Sequence, residues 1–190
     1  MRVVSEKTKE RFLVAAIEEL QSHGVSDFSV RRVALACKVS SGAPYKHFAD
    51  KTEMILCVMR YINGKWAQEL EPLLAREDAD PRRKLIDISI AYVRFLQRHP
   101  AYQTILTMSD TGLTEEQKHT KAQTSEKVLS LVDTYCQSVS MPEEVKIRKL
   151  FVIRSLLIGG AWLLNARVLP NSEDSLEMIR CCVEREFDLP

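Results

Sequence analysis

Between Ser40 and Lys51 the chain reads SSGAPYKHFADK, which supplies hydroxyls at Ser40 and Ser41, ammonium groups at Lys46 and Lys51, a phenol at Tyr45 and an imidazole at His47. Donors of this kind suit a polyanion. Hydroxyls and amines reach phosphate oxygens and the acceptor edges of bases, and the methyl of Ala43 can pack on thymine. Gly42 has no side chain, so the backbone there can approach a surface closely. Ser29 and Arg31 lie a short way upstream. Singly, each has an ordinary explanation: Tyr45 and Phe48 as core aromatics, His47 as a surface histidine, Arg31 and Arg32 as a solvated face. The combination carries the information.

Other chemistries find little to build on. His23, His47, His99 and His119 show no zinc spacing, and the chain has neither a P-loop nor a nucleophile elbow. No catalytic residue, metal site or cofactor is expected, which argues against an enzyme. The five cysteines (Cys37, Cys57, Cys136, Cys181, Cys182) form no CxxC pair. They read as reduced thiols packed as small hydrophobes, with a redox role for Cys181 and Cys182 as the alternative. The net charge of +1 divides unevenly: residues 1–51 carry +3 and the remainder carries −2. A basic start on a neutral-to-acidic body fits a protein that touches polyanions with one end.

The elements that would position these groups are helical throughout, so the fold class is all-α with about nine helices. A first helix from Ser5 to His23 has Leu13, Ala16, Ile17 and Leu20 on one face and stops at Gly24. A short second helix follows, capped by Ser29, with Val30, Val33, Ala34 and Cys37 as its buried stripe. After a turn at Lys38 and Val39, Ser40 is expected to cap a third short helix running to Phe48, with Pro44 in its first turn. Asp50 and Glu53 form a capping-box pair opening a fourth, whose Ile55, Val58, Met59 and Ile62 share a face. Two short helices joined by a tight turn make a helix-turn-helix.

The run FSVRRVALACKVSSGAPYKHFADKTEMIL resembles the TetR family of transcriptional regulators: Val33-Ala34 in the supporting helix, Val39-Ser40 in the turn, Gly42, the Tyr45-x-His47-Phe48 run and Lys51. The resemblance covers about Ser5 to Leu56. It implies a recognition helix presenting Ser41, Ala43 and Lys46 to the major groove, with Tyr45, His47 and Lys51 on phosphates. It also implies a DNA-binding domain over residues 1–56 and an effector-binding and dimerisation domain over 57–190. The protein would be a homodimer acting as a repressor, released from a palindromic double-stranded DNA operator by a small, largely apolar effector. Lys38 stands where the family often has glycine, and Pro44 where it has leucine or isoleucine.

Beyond Gly64, turns at 76–83, 99–100, 109–112, 141–142 and 170–171 separate about five further helices. Tyr61, Trp66, Tyr92, Phe95, Tyr102, Ile105 and Met108 could line an effector cavity, although core packing explains each equally. The tract from Val145 to Val168 is apolar on more than one face, and the last helix carries Leu176, Ile179, Val183 and Phe187. Phe151, Leu157, Gly160, Trp162, Ile179 and Val183 are the candidate dimer residues. The longest apolar tract, Leu150 to Leu164, is too short to span a bilayer, and the first residues lack a secretory core, so a cytoplasmic protein without membrane contact is expected. Two rival readings keep the fold: a constitutive or activating regulator without ligand control, and a small-molecule-binding module with a vestigial DNA contact.

Overall fold

A computed structural model describes residues 2–76 and 80–188, with side chains from Glu6 onward. The described residues form eight α-helices and one 3-10 turn: α1 (Arg2–His23), α2 (Val30–Ala36), the turn Pro44–Lys46, α3 (Lys51–Leu74), α4 (Pro81–Arg98), α5 (Pro100–Thr107), α6 (Glu115–Ser138), α7 (Glu143–Asn165) and α8 (Glu173–Asp188). They contain no strand, and none of their helices is long and apolar enough to cross a membrane. Residues 77–79 of the expected 76–83 turn lie outside the described residues, but Pro81 opens α4 with Asp80 as its cap.

The expected nine elements are present, with one change of type. The segment from Ser40 to Phe48 does not form an α-helix. Its amides close i,i+3 turns, Ala43 N to Ser40 O at 2.9 Å and Lys46 N to Ala43 O at 3.2 Å. Pro44 is the physical reason: it has no N–H to give Ser40 O, so the i,i−4 ladder cannot start there. The Ser40 carbonyl, rather than its hydroxyl, takes up the Ala43 amide. Pro44 itself is buried, so it packs as well as stiffening the segment.

The chain divides into two compact units, residues 1–64 with 104–122, and residues 65–103 with 123–190. In the first, Phe12, Leu13, Ala16, Ile17 and Leu20 of α1 are buried, as are Val30, Val33 and Ala34 of α2 and Met54, Ile55, Val58, Met59 and Ile62 of α3. Gly24 takes φ +68° and ends α1. Lys38 takes φ +56°, so the turn accepts a left-handed lysine. The α3 start is doubly capped: Glu53 N donates to Asp50 Oδ1 at 2.8 Å, and Glu53 Oε2 receives the Ala49 amide. The α3 helix continues through Gly64 to Leu74.

The second unit is held by amphipathic helices. In α4, Leu85, Ile86, Ile88, Ile90, Tyr92, Val93, Phe95 and Leu96 are buried, and in α8 the spacing of Leu176, Ile179, Val183 and Phe187 buries all four. Gly160 of α7 lets α8 come close: a Cβ there would sit 2.9 Å from Ile179 Cδ1. Lys149 of α7, with no exposed surface, is paired with Glu186 of α8.

Candidate nucleic-acid interface and the helical body

The N-terminal unit holds its helix-turn-helix together through one buried carboxylate. Glu19 of α1 accepts from the Ser29 amide at 3.0 Å and from Arg32 Nε at 2.7 Å, which ties α2 to α1. Arg32 also reaches Asp27 Oδ2 at 3.1 Å, and its guanidinium is held above the ordinary range first by the Glu19 hydrogen bond. The structure thus separates two neighbouring arginines. Arg32 is committed to internal pairing, and Arg31 stands exposed. Ser29 is half-buried and caps α2, its Oγ accepting from Arg32 N at 3.3 Å.

Ser40, Ser41, Gly42 and Lys46 are exposed, Ala43 is half-buried, and Tyr45 exposes 55 % of its surface. Phe48 is the apolar plug beneath them, edge-on to Phe12 at 6.3 Å. The His47 ring lies 5.6 Å from Phe12, so one side of the imidazole is packed. Lys9 stands over the Phe48 ring at 5.5 Å. At the first position of α3, half-buried Lys51 donates from Nζ to Ser26 O at 3.2 Å. Gly42 meets nothing within 4 Å of where a Cβ would lie. Its lack of a side chain therefore answers no demand within the protomer. The surface also includes Lys38, Leu35 and Val39, all exposed. Sequence reasoning gave Lys38 no contact role, although its place between two helices marked it as surface.

The seven residues considered for a cavity divide between the units. Trp66, Tyr92, Phe95 and Tyr102 belong to the second and form one cluster: Trp66 lies 5.1 Å from Tyr92 and 5.3 Å from Phe95, and Phe95 lies 5.8 Å from Tyr102. His99 joins them, stacked on Tyr102 at 4.5 Å with 13° between planes. Its spacing, four residues after Phe95 and three before Tyr102, is the helical signal that could have found it. Burial, then the neighbouring Arg98, hold its imidazole below the ordinary range against the opposing pull of Glu69. Burial pushes the Tyr92 phenol well up. Tyr61, Ile105 and Met108 fall in the first unit, where Tyr61 donates to Glu10 Oε1 at 2.9 Å, Ile105 is buried and Met108 is half-buried.

The candidate dimer residues also separate. Leu157, Gly160, Ile179 and Val183 are buried within the protomer, whereas Phe151 is 71 % exposed and Trp162 58 % exposed. Phe151 and Trp162 lie eleven residues apart, three helical turns, and so share a face of α7. Beside them an apolar groove of about 370 Å³ runs between α7 and α8, lined by Phe151, Leu156, Gly159, Leu163, Met178 and Cys182 among others. Cys37 and Cys136 are buried and Cys57 half-buried, as small hydrophobes should be, but Cys181 and Cys182 are exposed. Packing within the protomer therefore does not account for that pair.

Residues 12–58 match the family model described as bacterial regulatory proteins, tetR family. Over 107 residues the chain is 29 % identical to a protein of Escherichia coli K12 described as a probable acrEF/envCD operon repressor, a match covering 53 % of this chain and 46 % of that protein. The chain thus spans about half the length of the curated relatives it matches. Among solved structures, a bacterial regulatory protein in the tetR family from Rhodococcus RHA1 superposes with a TM-score of 0.77 at 17 % identity, covering 95 % of this chain and 96 % of that one. AibR, solved in complex with isovaleryl coenzyme A and operator DNA, superposes with a TM-score of 0.70 at 15 % identity, covering 93 % and 95 %. At these identities the structural likeness is one of fold.

Proposed function

We propose that the chain, whose residues 12–58 match the tetR family model, is a member of that family of bacterial regulatory proteins and a homodimeric repressor released from a palindromic operator by a small-molecule effector. The observation that carries the DNA-binding half is the exposed run Ser40-Ser41-Gly42, followed by half-buried Ala43, flanked by Tyr45, Lys46, His47 and Lys51 and seated on buried Phe48. Ser41, Ala43 and Lys46 read base edges; Ser29, Arg31, Ser40, Tyr45, His47 and Lys51 hold the phosphates. Gly42, free of any packing role in the protomer, admits the DNA backbone.

The exposed apolar stripe of Phe151 and Trp162, with the groove beside it, supports a second copy of the chain as the partner of α7 and α8. A twofold dimer is also what a palindromic site requires. The α3 helix carries Lys51 at its start and Trp66 further along. An effector at the aromatic cluster acts on DNA binding through that continuous helix, with a coupling on the order of 1–3 kcal/mol. AibR holds both isovaleryl coenzyme A and operator DNA, a precedent in this fold for the two activities in one chain.

The test is a fluorescence-anisotropy titration of the protein against the DNA upstream of its own gene, at two salt concentrations with nonspecific competitor. Expected is tight binding that weakens with salt and survives competitor. The variant Tyr45→Ala with Lys51→Ala should lose at least roughly 100-fold in affinity while folding and dimerising normally, since two phosphate contacts and their positioning go together. Binding that competitor erases would favour a module with vestigial DNA contact, the reading toward which the short 3-10 recognition segment points.

A further inference from the structure

We infer that the aromatic cluster of the helical body receives an uncharged aromatic molecule bearing a hydrogen-bond acceptor, bound by the Trp66 indole N–H and the Ser89 hydroxyl. This rests on the effector-controlled reading and names the chemical class that the site takes. Two observations converge. Trp66 and Ser89 each have 0 % of their surface exposed, and Trp66 Nε1 and Ser89 Oγ find no hydrogen-bond partner among the described residues. A buried donor left unpaired costs about 1–3 kcal/mol, and native proteins leave few of them.

Trp66 of α3 lies 5.1 Å from the ring of Tyr92, and Ser89 stands one helical turn before Tyr92 on the same face of α4, which directs both orphans toward the one cluster. A serine inside a helix usually turns its hydroxyl back onto the carbonyl four residues earlier. Ser155 does so here, donating to Phe151 O at 2.8 Å, and Thr134 does so to Ser130 O at 2.8 Å. Ser89 does not. The other orphan, an indole N–H, can only donate. A ligand that satisfies both must therefore offer an acceptor, and a carbonyl oxygen can receive two hydrogen bonds at once.

The rest of the molecule is set by what surrounds the donors. Trp66, Tyr92, Phe95, His99 and Tyr102 form a continuous series of rings, successive centroids lying 4.5 to 5.8 Å apart. Tilted and edge-on faces at that spacing favour another aromatic ring. Arg98, next to His99 in the chain, donates to Glu69 Oε2 at 2.5 Å. An ion entering beside two fully buried neutral donors would lose its hydration, so the class is uncharged.

Trp66 and Trp162 are the chain's two tryptophans, so a full-length protein labelled with nitrogen-15 at the indole gives two N–H signals, assigned with Trp162→Phe. Titration uses acetophenone, ethylbenzene (the same ring without the acceptor) and benzoate (the anion), with operator anisotropy followed in parallel. Acetophenone should move the Trp66 signal downfield and bind on the order of 10-fold more tightly than ethylbenzene. Ser89→Ala should remove that preference and melt no lower than the wild type, because it deletes an unpaired group. Equal binding of ethylbenzene, tighter binding of benzoate, an unmoved Trp66 signal or a clearly lower melting point for Ser89→Ala would each overturn the inference. A probe that shifts Trp66 without releasing DNA would leave this inference standing and remove ligand control from the proposed function.

Discussion

The segment from Ser40 to Lys51 and the groove between α7 and α8 are both open to solvent, yet they present opposite chemistry. The first exposes hydroxyls, ammonium groups and a tyrosine over a single buried phenylalanine. The second exposes Phe151, Trp162 and Met178 over a core that is already closed. Contact with a polyanion depends on particular donors at particular places, so residue identity carries meaning there. Contact with another apolar face depends on area and shape, so identity carries less and exposure carries more.

The comparison breaks most visibly if the groove is not a subunit interface. Phe151→Glu with Trp162→Glu should convert the proposed homodimer to a monomer at micromolar concentration, read by sedimentation velocity. Two carboxylates forced into an apolar contact without partners cost several kcal/mol, on the order of a 1,000-fold weaker association. The protomer's helix content should not change, because both side chains already face solvent. A dimer that persists would place the interface elsewhere, and the exposed stripe would then need another occupant.

The same contrast explains what the sequence made legible. Helix stripes such as Ile55, Val58, Met59 and Ile62, and the last helix's Leu176, Ile179, Val183 and Phe187, followed from spacing alone, because burial at i, i+3, i+4 and i+7 admits no other face. The caps at Ser29 and Asp50 followed from local chemistry. The segment from Ser40 to Phe48 did not: the tolerance of a helix's first turn for proline suggested a helix, and the missing Pro44 N–H limits it to a 3-10 turn. Sequence could not divide the apolar residues of α7 and α8 into core and surface either. Leu157 and Phe151 are alike in composition terms, and only the packing of α7 against its neighbouring helices buries one and leaves the other bare. Nor could it show that Arg32 is spent on Glu19 while its neighbour Arg31 is exposed, since that pairing spans thirteen residues and two helices.

A smaller effect would sharpen the account of the polar Ser40–Lys51 surface. Lys38 holds φ +56°, a conformation in which a side chain costs about 1 kcal/mol relative to glycine. Lys38→Gly should therefore stabilise the protein by up to about 1 kcal/mol in urea unfolding, less the entropy that glycine adds to the unfolded chain. Because Lys38 is exposed beside the recognition segment, the same change should weaken operator binding modestly and lower its salt dependence by about one counter-ion. Stabilisation without loss of affinity would assign the lysine to neither task and leave its strain unexplained.

The smallest expected effect tests the apolar interior, through the one imidazole in its aromatic cluster. His99 is held below its ordinary pKa of 6.5, first by burial and then by Arg98. The unfolded chain therefore binds the proton more readily than the folded one. Above about pH 6.5 both states are neutral at this ring and it takes nothing from stability; as pH falls below that value the unfolded state gains protons first and stability declines. Comparing melting points near pH 7.5 and pH 5 should show a fall in the wild type that is shallower in His99→Gln, since carboxylates elsewhere contribute equally to both. An equal fall in the two proteins would mean that the ring stacked on Tyr102 is solvated as freely as in the unfolded chain. The contrast between a dry aromatic interior and the solvated Ser40–Lys51 surface would then have to be drawn at Trp66 rather than at His99.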